Sequence, residues 1–138
     1  MSQENIEIVI GDLEAFNETG DVDAAFANAE PGIEFEISTQ AGRESADFRV
    51  YRGIDEVKSA IREILSAFDG ARFEVHDVRD RGDRVVAILE LFLRPKGSSA
   101  EVSSGRFGYV YTLRDGKVVR VQDFTDPAEA LSAMGFSD

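Results

Sequence analysis

The stretch FGYVYTLRDGKVVRVQDFTDPAEALSAMGF, residues 107–136, decides how this chain folds. Its first half is two β-rich runs around Asp115-Gly116, a strong short-range hairpin signal. Its second half opens on Asp126-Pro127, an N-cap with proline at the first helical position, and ends at Gly135. A β-hairpin therefore feeds directly into one docked helix. Tyr109 and Tyr111 alternate along the first strand, and Asp123 interrupts the apolar body of the second. A carboxylate there must be solvated, paired or used, so the face it occupies matters.

Two registers compete. A two-residue Asp-Gly turn pairs Arg114 with Lys117 and, counted outward, sets Gly108 opposite Asp123, with the tyrosines on the other face. A three-residue loop pairs Leu113 with Lys117 and brings Phe107 opposite Asp123, with Tyr109 facing Val121 and Tyr111 facing Val119. The second gathers the apolar residues on one face, and register follows the buried face. It is the preferred expectation, and it puts Asp123 inside beside two phenols.

Working outward, Ile6, Val9, Ile10, Leu13 and Phe16 recur at helical spacing. Asp21 caps a short second helix carrying Val22, Ala25 and Phe26. Pro31-Gly32 reads as a break, after which residues 33–38 alternate strictly, with Ile33, Phe35 and Ile37 inward and Glu34 and Glu36 outward. Residues 39–52 have no clean period and read as a polar loop of a length that often covers a site. Gly53 leads into a long helix marked by Val57, Ile61, Ile64, Leu65 and Phe68, ended by Asp69-Gly70. Two β-rich runs follow, ARFEVHDVRD and RVVAILELFLR. The order is α-α-β-α-β-β-β-β-α, an α+β class in which a strongly twisted, mostly antiparallel sheet folds around one long helix.

Composition narrows the chemistry. At 138 residues with 43% hydrophobic content, the chain can bury a real core as one domain. It has no cysteine, which excludes disulfides, thiolate catalysis and cysteine metal sites, and its one histidine excludes a histidine-rich centre. No run approaches the roughly 20 apolar residues that span a bilayer, and the N-terminus lacks the pattern of a signal peptide, so a cytoplasmic protein is expected. The net charge of −12 repels phosphate backbones and anionic lipid, so neither nucleic acid nor membrane is an expected partner. Phosphate-binding loops, dinucleotide fingerprints, nucleophile elbows and zinc-ligand spacings are missing from the sequence, and no cofactor is implied.

The segments FNETGDVDAAF, YRGIDEV, RGDRVVAILEL and YVYTLRDGKVVRVQDFTDPAEAL, in this order, resemble the SnoaL-like branch of the NTF2-like superfamily. The resemblance covers about residues 5–136. It implies a cone-shaped α+β barrel with a pocket at its open end and a homodimer built on the outer sheet face. Members include polyketide cyclases, ketosteroid isomerase, limonene epoxide hydrolase and dehydratases. Family cyclases place a working aspartate in the last strand, at the position matched by Asp123. The epoxide hydrolase also needs an arginine and an aspartate where this chain has residues near Leu89 and Leu91. The isomerase needs a tyrosine near Asp12 and Leu13 and a base near Glu36, which alternation points outward. Both specific reactions are disfavoured.

The site expected from these residues is an apolar pocket for a small hydrophobic ligand, with Asp123, Tyr109 and Tyr111 as the candidate catalytic groups. Phe16, Phe35, Tyr51, Phe107, Val121 and Met134 are the candidate walls. Burial is expected to raise the pKa of Asp123, which suits an acid or a base near neutral pH. A merely structural Asp123, held by a hydroxyl or backbone group, is the competing role. His76 is expected on the outer surface, and Asp77 is a reserve inner carboxylate if the strand is regular. Arg43, Arg49 and Arg52 are weighed as contacts for an anionic substrate. Val86, Ile88 and Phe92 around Glu90 give an apolar outer face suited to a dimer interface.

Overall fold

The computed structural model describes residues 2–37 and 49–136. The elements are α1 (Ser2–Thr19), α2 (Val22–Ala25), β1 (Ala29–Ile37), β2 (Arg49–Arg52), α3 (Ile54–Leu65), β3 (Phe68–Arg81), β4 (Arg84–Pro95), β5 (Val102–Arg114), β6 (Lys117–Phe124) and α4 (Pro127–Ala133). The strands form one sheet in the order β2-β1-β6-β5-β4-β3, antiparallel throughout except where β1 and β6 run parallel. The α+β class holds, with three local corrections. Arg49–Arg52, expected as loop, is a strand paired with β1. Pro31-Gly32 lies inside β1, in a stretch where the pairing with β6 shifts. Asp69-Gly70 begins β3 instead of ending a helix. The remainder of the expected loop, including Arg43, lies outside the described residues.

Strand β4 organises both faces. Val85, Ala87 and Leu89 point to an inner core with Val9 and Leu13 of α1, Val57 of α3, and Ile33 and Phe35 of β1. Their neighbours Val86 and Ile88 point the other way, into a second core with Val110, Ala130, Leu131 and Met134. Period-two alternation thus separates two apolar layers, and all five β4 residues from Val85 to Leu89 are buried. Two helices, α1 of 18 residues and α3 of 12, share the inner core.

The caps follow the sequence. Asp21 accepts a hydrogen bond from the Asp23 N–H at 2.9 Å, and Asp126 accepts one from Ala128 N–H at 2.9 Å. With Pro127 next, α4 starts three residues after β6 and folds onto the outer face of β4 and β5. That contact needs Gly108, because a Cβ there would lie 2.4 Å from the Ala130 Cβ. At the far edge, the Asn17 side chain acts as a strand partner for β3. Its Nδ2 donates to the Phe73 carbonyl and its Oδ1 accepts from the Phe73 N–H, both at 2.8 Å. These bonds satisfy backbone groups that an edge strand otherwise leaves open.

Gly108→Ala should destabilise the protein by on the order of 1–3 kcal/mol through overpacking. Gly32→Ala, where a Cβ meets nothing within 4 Å, should stay within about 0.5 kcal/mol of wild type. Urea denaturation of the two variants checks both. A second prediction concerns Asp12, a buried carboxylate of α1 that accepts a 2.8 Å hydrogen bond from Asn28 Nδ2. Burial raises its pKa above 3.8, and the Asn28 and Lys117 contributions only partly offset this. A raised folded-state pKa means that stability is lost as pH climbs from 3.8 through the folded value. Asp12→Asn keeps an acceptor for Asn28 and removes the charge. It should therefore raise the urea midpoint at neutral pH, with the gain vanishing below pH 3.8.

Candidate active site

The β5–β6 hairpin positions the site. Asp115 and Gly116 both adopt positive φ, 53° and 77°, the conformation of a tight two-residue turn. Arg114 therefore pairs with Lys117 and Leu113 with Val118. The ladder then shifts by one, leaving Val119 as an extra residue, and resumes with Thr112 opposite Arg120. Beyond this bulge Tyr111 faces Val121 and Tyr109 faces Asp123. The turn is the one expected of the first register, and the faces are those of the second. Asp123 does lie with the tyrosines, but its cross-strand partner is Tyr109 and not Phe107.

This face borders a cavity of about 660 Å³ between the sheet and helices α1, α2 and α3. Phe16, Phe35, Phe107, Val121 and the three candidates Tyr109, Tyr111 and Asp123 all line it. Tyr109 is the hub of the aromatic wall, with ring centroids 5.1 Å from Phe107, 5.6 Å from Phe35 and 5.9 Å from Tyr111, all edge-on. Edge-to-face contacts of this kind fix ring orientation. Burial pushes the Tyr109 phenol well above its usual pKa, and the negative charge of Asp123 adds to the rise. Burial likewise raises Tyr111, with Asp12 adding to it. Both phenols therefore stay protonated at neutral pH and remain hydrogen-bond donors.

Two expected wall residues are elsewhere. Met134 is 1% exposed in the outer core, because α4 docks on the face of β5 opposite the cavity. Phe136 follows it outward, beneath the Arg81 guanidinium at 4.2 Å. Tyr51 sits on β2 opposite Phe35 and packs against the inner core without bordering the cavity. Glu36 faces outward as expected, paired with Arg120 and accepting from Gln122 Nε2 at 3.3 Å. Asp77 is a further correction. The β3 ladder shifts between Val75 and Asp77, which brings Asp77 opposite the outward Ile88, and its carboxylate pairs with Arg79 at 3.0 Å. Arg52 is committed to Glu34 at 3.4 Å.

Sequence reasoning placed Leu13, Phe26 and Ile61 on apolar faces but did not mark them, or Phe73 of β3, as cavity wall, which they are. It also missed Ser104, Arg106, Thr125 and Asp126, which border the cavity as well. Among the described residues, Glu74, His76 and Glu90 form a group with metal-ligand atoms close together. His76 Nε2 lies 2.9 Å from Glu90 Oε1, Arg72 already pairs with Glu74, and Ser103 donates to Glu90. This network is on the outer surface, so it does not furnish the cavity with a metal. The outer apolar face expected around Glu90 is also changed, since Val86 and Ile88 are covered by α4.

Comparison with known proteins agrees with this architecture. The family model of the SnoaL-like domain matches residues 12–121. No curated protein matches the chain. An NTF2-like protein of unknown function from Burkholderia pseudomallei K96243 superposes with a TM-score of 0.73 at 21% identity, covering 97% of this chain and 98% of that one. A protein assigned as a SnoaL-like polyketide cyclase from Jannaschia sp. CCS1 gives 0.68 at 22% identity, covering 96% and 92%. TerC, co-crystallised with polyporic acid, gives 0.72 at 20% identity, covering 95% and 97%. The chain belongs to the SnoaL-like domain family.

Proposed function

We propose that the cavity binds a small, largely apolar, ring-bearing molecule and that Asp123 and Tyr109 perform cofactor-independent acid–base chemistry on it. The observation that carries this is the cross-strand pair itself: a carboxylate and a neutral phenol on neighbouring strands at the wall of a largely apolar cavity. The volume is within the range of small-molecule sites, roughly 300–1,000 Å³. The aromatic lining suits a flat ring system, and TerC, similar to this chain in fold, was co-crystallised with polyporic acid.

The chemistry suited to such a pair is an intramolecular cyclisation or a related isomerisation or dehydration. In the cyclisation, the Asp123 carboxylate takes a proton from carbon next to a carbonyl, and the electron pair moves onto the carbonyl oxygen as an enolate. Tyr109, with Tyr111 behind it, donates a hydrogen bond to that oxygen. The enolate carbon then attacks a second carbonyl of the same molecule, and the protonated Asp123 returns its proton to the new alkoxide. The cavity contributes by holding a flexible chain in reactive geometry. The competing function is a binding module with the same cavity and no turnover. Leu89 in the inner core and Leu91 on the wall favour neither the arginine nor the aspartate of epoxide hydrolysis.

A thermal-shift screen against hydroxyquinones, aromatic polyketides, steroids and terpenes identifies ligands, and turnover is then followed by chromatography. Asp123→Asn should retain binding within a few-fold and lose roughly 10²–10⁴ in rate. Tyr109→Phe should lose about 10²-fold or less, with little change in binding. Undiminished turnover in Asp123→Asn would remove the aspartate from the reaction. Binding without turnover in wild type would leave the module.

A further inference from the structure

The outer face of the sheet carries a group of chemically able side chains separate from the cavity. Glu74 and His76 stand on β3 and Glu90 on β4, with Glu74 and Glu90 directly opposite in the ladder. Glu90 is of the same parity as Val86 and Ile88, which point outward to α4. The ladder shifts between Val75 and Asp77, so His76 is the extra residue of a bulge, without a cross-strand partner. Its ring reaches back to the carboxylate pair. Nε2 lies 2.9 Å from Glu90 Oε1 and 4.0 Å from Glu74 Oε1. One ligand atom from each of these residues lies within 4.8 Å of the other two.

The neighbours of the group divide its oxygens. Arg72 donates to Glu74 Oε2 at 2.9 Å, and the Ser103 hydroxyl donates to Glu90 Oε2. Each carboxylate is thus held by one oxygen and turns the other, Oε1, toward the imidazole. The Arg72 charge is itself shared with Glu101, through Nε at 3.0 Å and Nη2 at 2.9 Å. Partners of this kind fix ligand atoms in metal sites. A tetrahedral ion about 2.1 Å from its ligands needs them roughly 3.4 Å apart, and the separations of 2.9 and 4.0 Å bracket that value. Arg106 faces Glu90 across the β4–β5 ladder and adds positive charge. Glu74, Glu90 and Glu101 still outnumber Arg72 and Arg106 by one carboxylate.

We infer that Glu74, His76 and Glu90 bind a divalent transition-metal ion, zinc by choice, on the outer face of β3 and β4. An imidazole nitrogen with two carboxylates suits zinc or copper, whereas magnesium and calcium take oxygen ligands. Neutral imidazole binds through the Nε2 lone pair with its proton on Nδ1, so the ion displaces the His76–Glu90 hydrogen bond. Water fills the fourth position. The ion ties β3, an edge strand, to β4 at the bulge, and it is independent of any reaction in the cavity.

His76 is the only histidine of the chain, so its ring reports binding in the unaltered protein. Tag-free, chelator-treated protein is titrated with zinc chloride at neutral pH, followed by calorimetry and by nitrogen-15 NMR of the imidazole. The expected result is one saturable site of micromolar affinity, a large shift of the His76 Nε2 resonance, and a Tm that rises with zinc. Magnesium chloride at the same concentrations should produce none of these. His76→Gln and Glu90→Gln should each weaken zinc binding at least tenfold. Absence of a saturable site, or zinc binding that leaves the His76 resonances unmoved, overturns the inference. So does a folded His76→Gln protein that binds zinc as tightly as wild type.

Discussion

One extra residue in β6 sets the face of everything after it. The Asp115-Gly116 turn fixes Arg114 against Lys117, and a regular ladder from there would place Asp123 opposite Gly108. Gly108 is where α4 lies closest to the sheet. A carboxylate at that level would enter the core of Val86, Ile88 and Val110, at a cost of several kcal/mol unless it were neutralised or paired. Leaving Val119 unpaired moves the strand by one place. Phe124 then falls opposite Gly108 and packs against the outer core, and Asp123 falls on the cavity side opposite Tyr109. The bulge forfeits a little local ladder regularity, and both faces of β6 then match their surroundings.

The two apolar layers are coupled through β4. Because Val86 and Ile88 are covered by α4, the outer face of the central strands is core over this stretch instead of free surface. The inner face can then be left partly empty, since the strands that wall the cavity are held from behind. An unfilled apolar cavity costs stability, and the α4 layer helps to offset that loss. The aromatic wall adds stiffness, since Tyr109 touches Phe35 of β1 and Phe107 and Tyr111 of its own strand.

The class of the fold was legible because its strongest signals are local. Alternation in Ile33–Ile37 and Val85–Leu93, the caps at Asp21 and Asp126, and the Asp-Gly turn each act within a few residues. Strand β2 was not legible, since Arg49–Arg52 becomes a strand only through its ladder with Glu34–Ile37. The bulges were equally hidden. One at His76 turned Asp77 outward and one at Val119 rescued the inward position of Asp123, and neither residue type announces a bulge. Met134 was misplaced for a related reason. Its position on the last turn of the final helix fits the burial it has, but position along the helix does not say which of two cores receives it.

Burial alone would single out the wrong carboxylate. Asp12 is the one buried charged residue among those described, and its pKa is raised by that burial. Yet it accepts from Asn28 and does not border the cavity, so a ligand there cannot reach it. Asp123 is only half-buried, but it lies on the wall, and its charge is felt by the phenol opposite it. The charge of Asp12 reaches Tyr111 in the same way. Two carboxylates thus flank a pair of tyrosines, one toward the cavity and one toward the packed interior. Only the first has access to a substrate. The second can act only through the tyrosine, by holding it more firmly in its protonated, donating state.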